Sequence, residues 1–199
     1  MSMSGKLRRI PAHELERVRT DERFREGMLA TGTPEFDLSA SLSILRWYVR
    51  WPMRILLRKQ IRAARQAEAA AREGRAVLDL HKSWHGIHWL LCQSAWEGPE
   101  PYRSVILGGQ EIGEDLGYGP PRLMEPAQVA EVAHALGALS AAQVMKRYDG
   151  VVMDREKVYP GAFTSDSEWR KVLEQDFERL QRFYRETVRE RSGLLSWLE

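Results

Sequence analysis

Four side chains able to ligate a metal or carry a proton fall within twelve residues: His81, His85, His88 and Cys92. They recur at i, i+4, i+7 and i+11, which places them along one face of a helix. Zinc takes histidine and cysteine ligands, and a histidine pair at i, i+4 is a familiar two-point arrangement. Length works against a single ion, because His81 to His88 spans roughly 10 Å at a rise of ~1.5 Å per residue. The face also borders an apolar stripe of Trp84, Ile87 and Leu91. The preferred reading makes His88 a core-edge histidine held by hydrogen bonds, with the others on the rim. No metal and no cofactor is expected.

A second stretch of interest runs from Leu107 to Pro120. Five of the twelve residues from Gly108 to Gly119 are glycine, which predicts a loop with positive-φ positions or close backbone approaches. It is no phosphate cradle. The Lys-Ser/Thr of a Walker loop does not follow, and the spacing G-x-G-x-x-G is absent. Glu111, Glu114 and Asp115 would repel phosphate. These carboxylates suit acid–base hydrolysis if an imidazole meets them; otherwise they are solvated or structurally paired. Lys82 falls in the first turn of the expected helix, where the helix dipole disfavours a cation. The loop is therefore expected to fold over that end and set a carboxylate within salt-bridge distance of Lys82. Together the two stretches nominate Lys82, Trp84, His85, His88, Glu111, Glu114, Asp115 and Tyr118 as binding residues.

The elements that must position them follow from periodicity and caps. Gly5 to Ile10 reads as a first strand ended by Pro11, and Ala12 to Arg19 as a short helix. Thr31 to Asp37 is a loop. Ser43 to Arg72 is rich in Ala, Arg, Leu and Gln and predicts helix, broken near Trp51 by Pro52 and ended by Gly74. Asp79 caps a helix over 80–92. Ser104 to Leu107 predicts a short strand, as do Val151 and Val152. Pro126 opens a helix through Leu136, with Val129, Val132, Ala133 and Leu136 inward, and Ser140 caps a shorter one ending near Tyr148. Tyr159-Pro160-Gly161 is a turn. Ser165 and Glu168 form a capping box for a long last helix carrying Trp169, Leu173, Phe177, Leu180, Tyr184 and Val188 at helical spacing. Gly193 stops it, and Leu194 to Leu198 returns as a strand. With strands scattered among helices and no βαβ rhythm, the fold class is α+β: one domain, a small mixed or antiparallel sheet covered by helices, and a long C-terminal helix.

Composition sets the outer limits. At 199 residues, 43% hydrophobic and 29% charged, the chain fits one globular domain. The lone Cys92 cannot form an internal disulfide, so a reducing, cytoplasmic compartment is expected. Met1 to Pro11 carries Lys6, Arg8 and Arg9 with no apolar run behind them, so no secretory signal is expected. No apolar stretch approaches the ~20 residues of a membrane span. The net charge of +2 is unevenly spread: Ser43 to Arg75 holds nine basic residues against two acidic ones, a local +7 that leaves −5 elsewhere. No standard nucleic-acid-binding motif accompanies this segment. A solvated face is its ordinary meaning, and contact of residues 43–62 with an anionic membrane surface through Trp47, Trp51 and the arginines is a lesser one.

The pattern Leu78, Asp79, Lys82, Trp84, Ile87, His88 resembles the YfbM-like family, a bacterial group of unknown function also called domain of unknown function 1877. Leu107-Gly108-Gly109-Gln110-Glu111-Ile112-Gly113, Tyr118-Gly119-Pro120, Tyr159-Pro160-Gly161 and Phe183-Tyr184 belong to the same resemblance. It covers roughly residues 5–19 and 76–199. His81 and His85 stand outside the pattern, and residues 43–72 read as a basic helical insertion within the single domain. The resemblance implies a compact α+β fold and no established reaction. It also implies an immunity-type role, since similar chains are counted among candidate immunity proteins against bacterial toxins. Binding to another protein is thus the leading functional expectation, and a basic segment on an acidic body suits steered association with a charged partner. The alternative is a small hydrolase or transferase using His85 or His88 with Glu111, Glu114 or Asp115, at the junction of the 80–92 helix and the 108–119 loop.

Overall fold

The computed structural model describes residues 3–29 and 76–199. The loop expected at Thr31–Asp37, the basic helix expected at 43–72 with its break near Trp51, and its end at Gly74 lie outside the described residues.

Among the described residues five strands form one sheet. They are β1 (Gly5–Ile10), β2 (Val77–Asp79), β3 (Gln110–Glu111), β4 (Arg122–Met124) and β5 (Gly193–Leu198), in the order β2-β1-β5-β4-β3. Every neighbouring pair is antiparallel, which selects the antiparallel form of the two expected. The register places Leu7 opposite Ser196 and Ser196 opposite Arg122. Side chains alternate across a strand, so these three share one face with Gly5, Arg9, Leu194, Met124 and Leu198. Ile10, Leu123, Leu195 and Trp197 take the other face.

Both faces are covered, which is why β5 reads as a nearly continuous apolar run without alternation. On one side Ile10, Leu123, Leu195 and Trp197 meet Leu15, Val18 and Met28, carried by α1 (Leu15–Thr20) and α2 (Glu22–Leu29). On the other, Leu7, Met124 and Leu194 join the larger core with Trp84, Ile87, Phe177, Leu180 and Tyr184. That side is built from α3 (Ser83–Cys92), α4 (Ser104–Leu107), α5 (Pro126–Gly137), α6 (Ala141–Met145), α7 (Gly150–Arg155) and the 22-residue α8 (Glu168–Arg189). Helix α8 packs on α5, α3 and α6. Strand β1 also buries charge: Arg9, 2% exposed, meets Glu186 in the last turn of α8 at 3.3 Å and its C-cap Glu190 at 2.8 Å. Among the described residues no helix is long and apolar enough to cross a membrane.

Several elements depart from the sequence reading. Ala12–Glu14 is a 3-10 turn ahead of α1, so the first helix is split. Ser104–Leu107 is a helical turn, with the buried Tyr184 hydroxyl donating to the Val105 carbonyl at 2.8 Å. Val151 and Val152 lie in α7, whose N-cap Asp149 accepts from the Val152 N–H at 3.1 Å. Both segments are short runs rich in apolar, β-branched residues, and periodicity cannot separate strand from helix there. The Ser165–Glu168 capping box does not form: Ser165 Oγ donates to Ala162, and Asp166 accepts the Glu168 N–H at 2.9 Å. Gly193 opens β5, and the left-handed turn is made by Arg191 at φ 52°.

Candidate functional site

Helix α3 begins at Ser83, after Lys82, and not at Leu80. Asp79 ends β2, and its carboxylate accepts the His81 N–H at 2.7 Å instead of capping the helix. His81 adopts φ 45°, a left-handed conformation that interrupts any helix through it. The histidine series therefore loses its first member. Among the described residues no three of His, Cys, Asp and Glu gather in an arrangement that holds a metal.

The ends of α3 are fixed by side chains from elsewhere. Ser83 Oγ lies 2.6 Å from both the Leu80 carbonyl and the Asp176 carboxylate of α8. Asp176, 8% exposed and joined to Arg179 at 2.6 Å, is the anion that complements the positive end of the helix dipole. The loop carboxylates do not fill that role, which corrects the expected pairing. Glu111 pairs with Arg122 at 2.5 Å. Asp115 accepts from the N–H groups of Gly117 and Gly119 at 2.7 and 2.9 Å, closing its own loop. Glu114 is exposed, and no ion pair joins the exposed Lys82 to any of the three. At the other end, Arg147 donates to the carbonyls of Leu90 and Leu91 at 3.1 and 3.2 Å, where unpaired carbonyls favour a cation.

His85 and His88 are interior groups. His85 Nδ1 accepts the Tyr159 N–H at 3.0 Å, so Nε2 carries the proton and donates to the Ala95 carbonyl at 2.6 Å. Its ring stacks on Trp84 at 4.6 Å and meets Trp96 at 4.5 Å. Burial lowers its pKa, and the Ala95 bond only partly opposes that. His88 is wholly buried, and among the described residues no hydrogen bond of ordinary geometry reaches its Nε2. Burial, reinforced by the nearby His85 and Arg103, brings its pKa down to about 4 against a partial contribution from the Glu97 backbone. Cys92 Sγ stands 4.0 Å from His88 Nδ1. This is no nucleophilic dyad, because burial and then Glu100 push the thiol up to about 11, opposed by Arg103 and Arg147. A histidine with so low a pKa supplies no imidazolium to stabilise a thiolate. Among the described residues no carboxylate stands within ion-pair distance of His85 or His88, so Glu111, Glu114 and Asp115 do not assemble the expected acid–base pair.

What the two motifs do share is a cavity of about 250 Å³. Gly5, Leu7 and Ser196 of the sheet line it on one side, Leu80 and Trp84 on another, and Trp96, Arg103, Ile106 and Tyr118 complete the enclosure. Gly5 is required for this closeness: a Cβ there would sit 2.5 Å from Trp84 Cβ. Trp96 and Tyr118 are 53% and 37% exposed, and the loop bearing Tyr118 also exposes Leu116. Of the nominated residues, Trp84 and Tyr118 meet at this cavity. Lys82, Glu114 and Asp115 face solvent, Glu111 pairs with Arg122, and His85 and His88 are absent from the lining. Arg103, Trp96 and Ser196 escaped the sequence reading. Ser196 did leave a trace, as the one hydroxyl within Leu194-Leu195-Ser196-Trp197-Leu198.

Comparison with known proteins agrees with this architecture. No curated protein matches the chain. A solved structure titled a protein of unknown function YfbM from Escherichia coli is similar, with a TM-score of 0.60 and 15% identity over 98% of this chain and 99% of that one. At that identity the likeness concerns the fold alone. The model of the family described as Domain of unknown function (DUF1877) matches residues 1–197, and the chain belongs to that family.

Proposed function

We propose that this chain is a binding protein that engages a partner protein through the cavity framed by Trp84, Arg103, Ser196 and Tyr118, without catalysing a reaction there. One observation carries the reading: exposed aromatic side chains, Trp96 and Tyr118, rim a cavity whose lining includes the buried side chains of Trp84 and Ser196. Aromatic and arginine side chains around a desolvated pocket are the usual composition of an interaction hot spot. A hydrolase would need an imidazole within reach of a carboxylate, and the ring nitrogens of His85 are committed to Tyr159 and Ala95. An immunity-type protein that blocks a toxin by contact is the biological form this takes in the family resemblance. The test is site-specific photocrosslinking in the native host. A photoreactive phenylalanine analogue replaces Tyr118 in one variant and the exposed Val172 of α8 in another. The reading expects one defined adduct from position 118, lost on Trp96→Ala and absent at 172. Equal labelling from the two positions, or none from 118, overturns it.

A further inference from the structure

We infer that this cavity is a carboxylate site, taking an acidic group carried on an apolar body; the assignment rests on the binding role proposed above and names the partner chemistry. Trp84 is wholly buried, and among the described residues its indole Nε1 has no hydrogen-bond partner. Ser196, 4% exposed in β5, has an unpartnered Oγ, and the buried Arg103 Nε is likewise without one. All three residues line the one cavity. Buried polar atoms are nearly always paired, so three residues that each carry such an atom and line one cavity call for a common complement.

The donor inventory selects that complement. An indole N–H and a guanidinium N–H can only donate, and a serine hydroxyl can donate as well. The group they fit is therefore an acceptor with several lone pairs, and the arginine favours an anionic one. A carboxylate offers two oxygens with about four acceptor sites. Among the described residues Arg103 is the more loosely held of the two lining arginines, its Nη1 forming an ion pair with the exposed Glu100 at 3.9 Å, beyond hydrogen-bond length. Arg122 is already engaged with the Leu107 carbonyl at 3.1 Å and with Glu111. Glu97 also borders the cavity, which disfavours a doubly charged phosphate relative to a single carboxylate. Leu7, Leu80 and Ile106 supply apolar wall, and Trp96 and Tyr118 stand where a flat or branched body would leave the site. A side chain or chain terminus matches the volume of about 250 Å³ better than a drug-sized ligand, whose sites run from about 300 Å³ upward.

The experiment titrates the full chain, labelled at its indole nitrogens, with phenylacetate, phenylacetamide and phenylphosphate at constant ionic strength. A second arm uses a short peptide ending in phenylalanine, with a free or an amidated terminus. The Trp84 indole resonance, identified by its loss in Trp84→Phe or, if that variant does not fold, by sequential assignment, reports the site. The expected result is a saturable downfield shift with phenylacetate and the free-acid peptide, and none with either amide. Arg103→Met is expected to weaken the binding about tenfold and Ser196→Ala a few-fold, on the scale of charged and neutral hydrogen bonds. A silent Trp84 resonance, an equal response to the amides, or a preference for phenylphosphate overturns the assignment. Phenylacetate binding with no crosslink at position 118 keeps the carboxylate site and removes the protein partner, making a free organic acid the ligand. A position-118 crosslink indifferent to Arg103→Met, with Trp84 silent, does the reverse.

Discussion

His85 and Tyr159 are joined by a backbone N–H donating to an imidazole nitrogen at 3.0 Å, across 74 residues of chain. The bond ties the Tyr159-Pro160-Gly161 turn to the first turn of α3, and it fixes which ring nitrogen carries the proton. His85→Ala removes an acceptor for Tyr159 and a donor for Ala95 in a nearly water-free environment. Each buried group left unpaired costs roughly 1–3 kcal/mol. The variant is therefore expected to lose about 2–4 kcal/mol of unfolding free energy, read from urea denaturation at pH 7. A loss below about 0.5 kcal/mol, the scale of an ordinary surface change, contradicts this role.

Acid should weaken the fold through His88 before it reaches the carboxylates. The residue is neutral in the folded state, with a pKa near 4 against an ordinary value of 6.5. Between those values the unfolded chain binds the proton and the folded chain does not, so stability rises with pH. The contribution is complete above pH 6.5 and is lost as pH falls toward 4. At ~1.4 kcal/mol per pKa unit it amounts to about 3 kcal/mol, and His85, shifted the same way, adds to it. Denaturant midpoints across pH 4–7.5 should show that slope. His88→Leu should flatten it, with stability near wild type at pH 7, because the substitution also removes an unpartnered buried nitrogen.

Lys82→Met tests the corrected account of the start of α3. The side chain is exposed and has no carboxylate partner in the glycine-rich loop; Asp176, from α8, supplies the anion at that helix end through Ser83. The substitution should therefore change stability by no more than about 0.5 kcal/mol. Asp176→Asn should do more, by weakening the contacts with Ser83 and Arg179. A calorimetric melt of the two variants separates the cases, and a larger effect at Lys82 than at Asp176 reverses the assignment.

What the sequence made legible follows the range of the interactions concerned. β1, α5 and most of α8 follow from local signals: a period, a proline at the first turn, a run of apolar residues every third or fourth position. α4 and α7 did not, because a run of three apolar residues satisfies both periods and the outcome is decided by other contacts, such as that of Tyr184 with Val105. The cavity follows the same rule. Trp84 and Tyr118 stood out as members of motifs. Ser196 acquires meaning only from the register that sets Leu7, Ser196 and Arg122 in a row, and Arg103 only from the cavity that brings the start of α4 to that face. The histidine spacing pointed to ligands, whereas the ring of His85 is spent on backbone groups that no local pattern marks.

Cys92 should behave as an inert thiol despite its histidine neighbour. Gly98 passes so near that a Cβ there would collide with Cys92 Cβ and Sγ, and this backbone shields the sulfur. Burial and Glu100 raise the thiol from 9.0 to about 11, which lowers the thiolate fraction near pH 8 by about 100-fold. His88 cannot reverse this, since at that pH its ring is neutral and carries no charge to stabilise a thiolate. Alkylation by iodoacetamide at pH 8 is therefore expected to run at least about 100-fold slower in the folded chain than in urea, where the ordinary pKa and full access return. His88→Leu should leave the folded rate unchanged, because the imidazole takes no part in activation. Gly98→Ala should raise it, by displacing the covering backbone. Folded-state alkylation as fast as in urea, or a clear drop in rate on His88→Leu, would show that the pair is a working dyad after all.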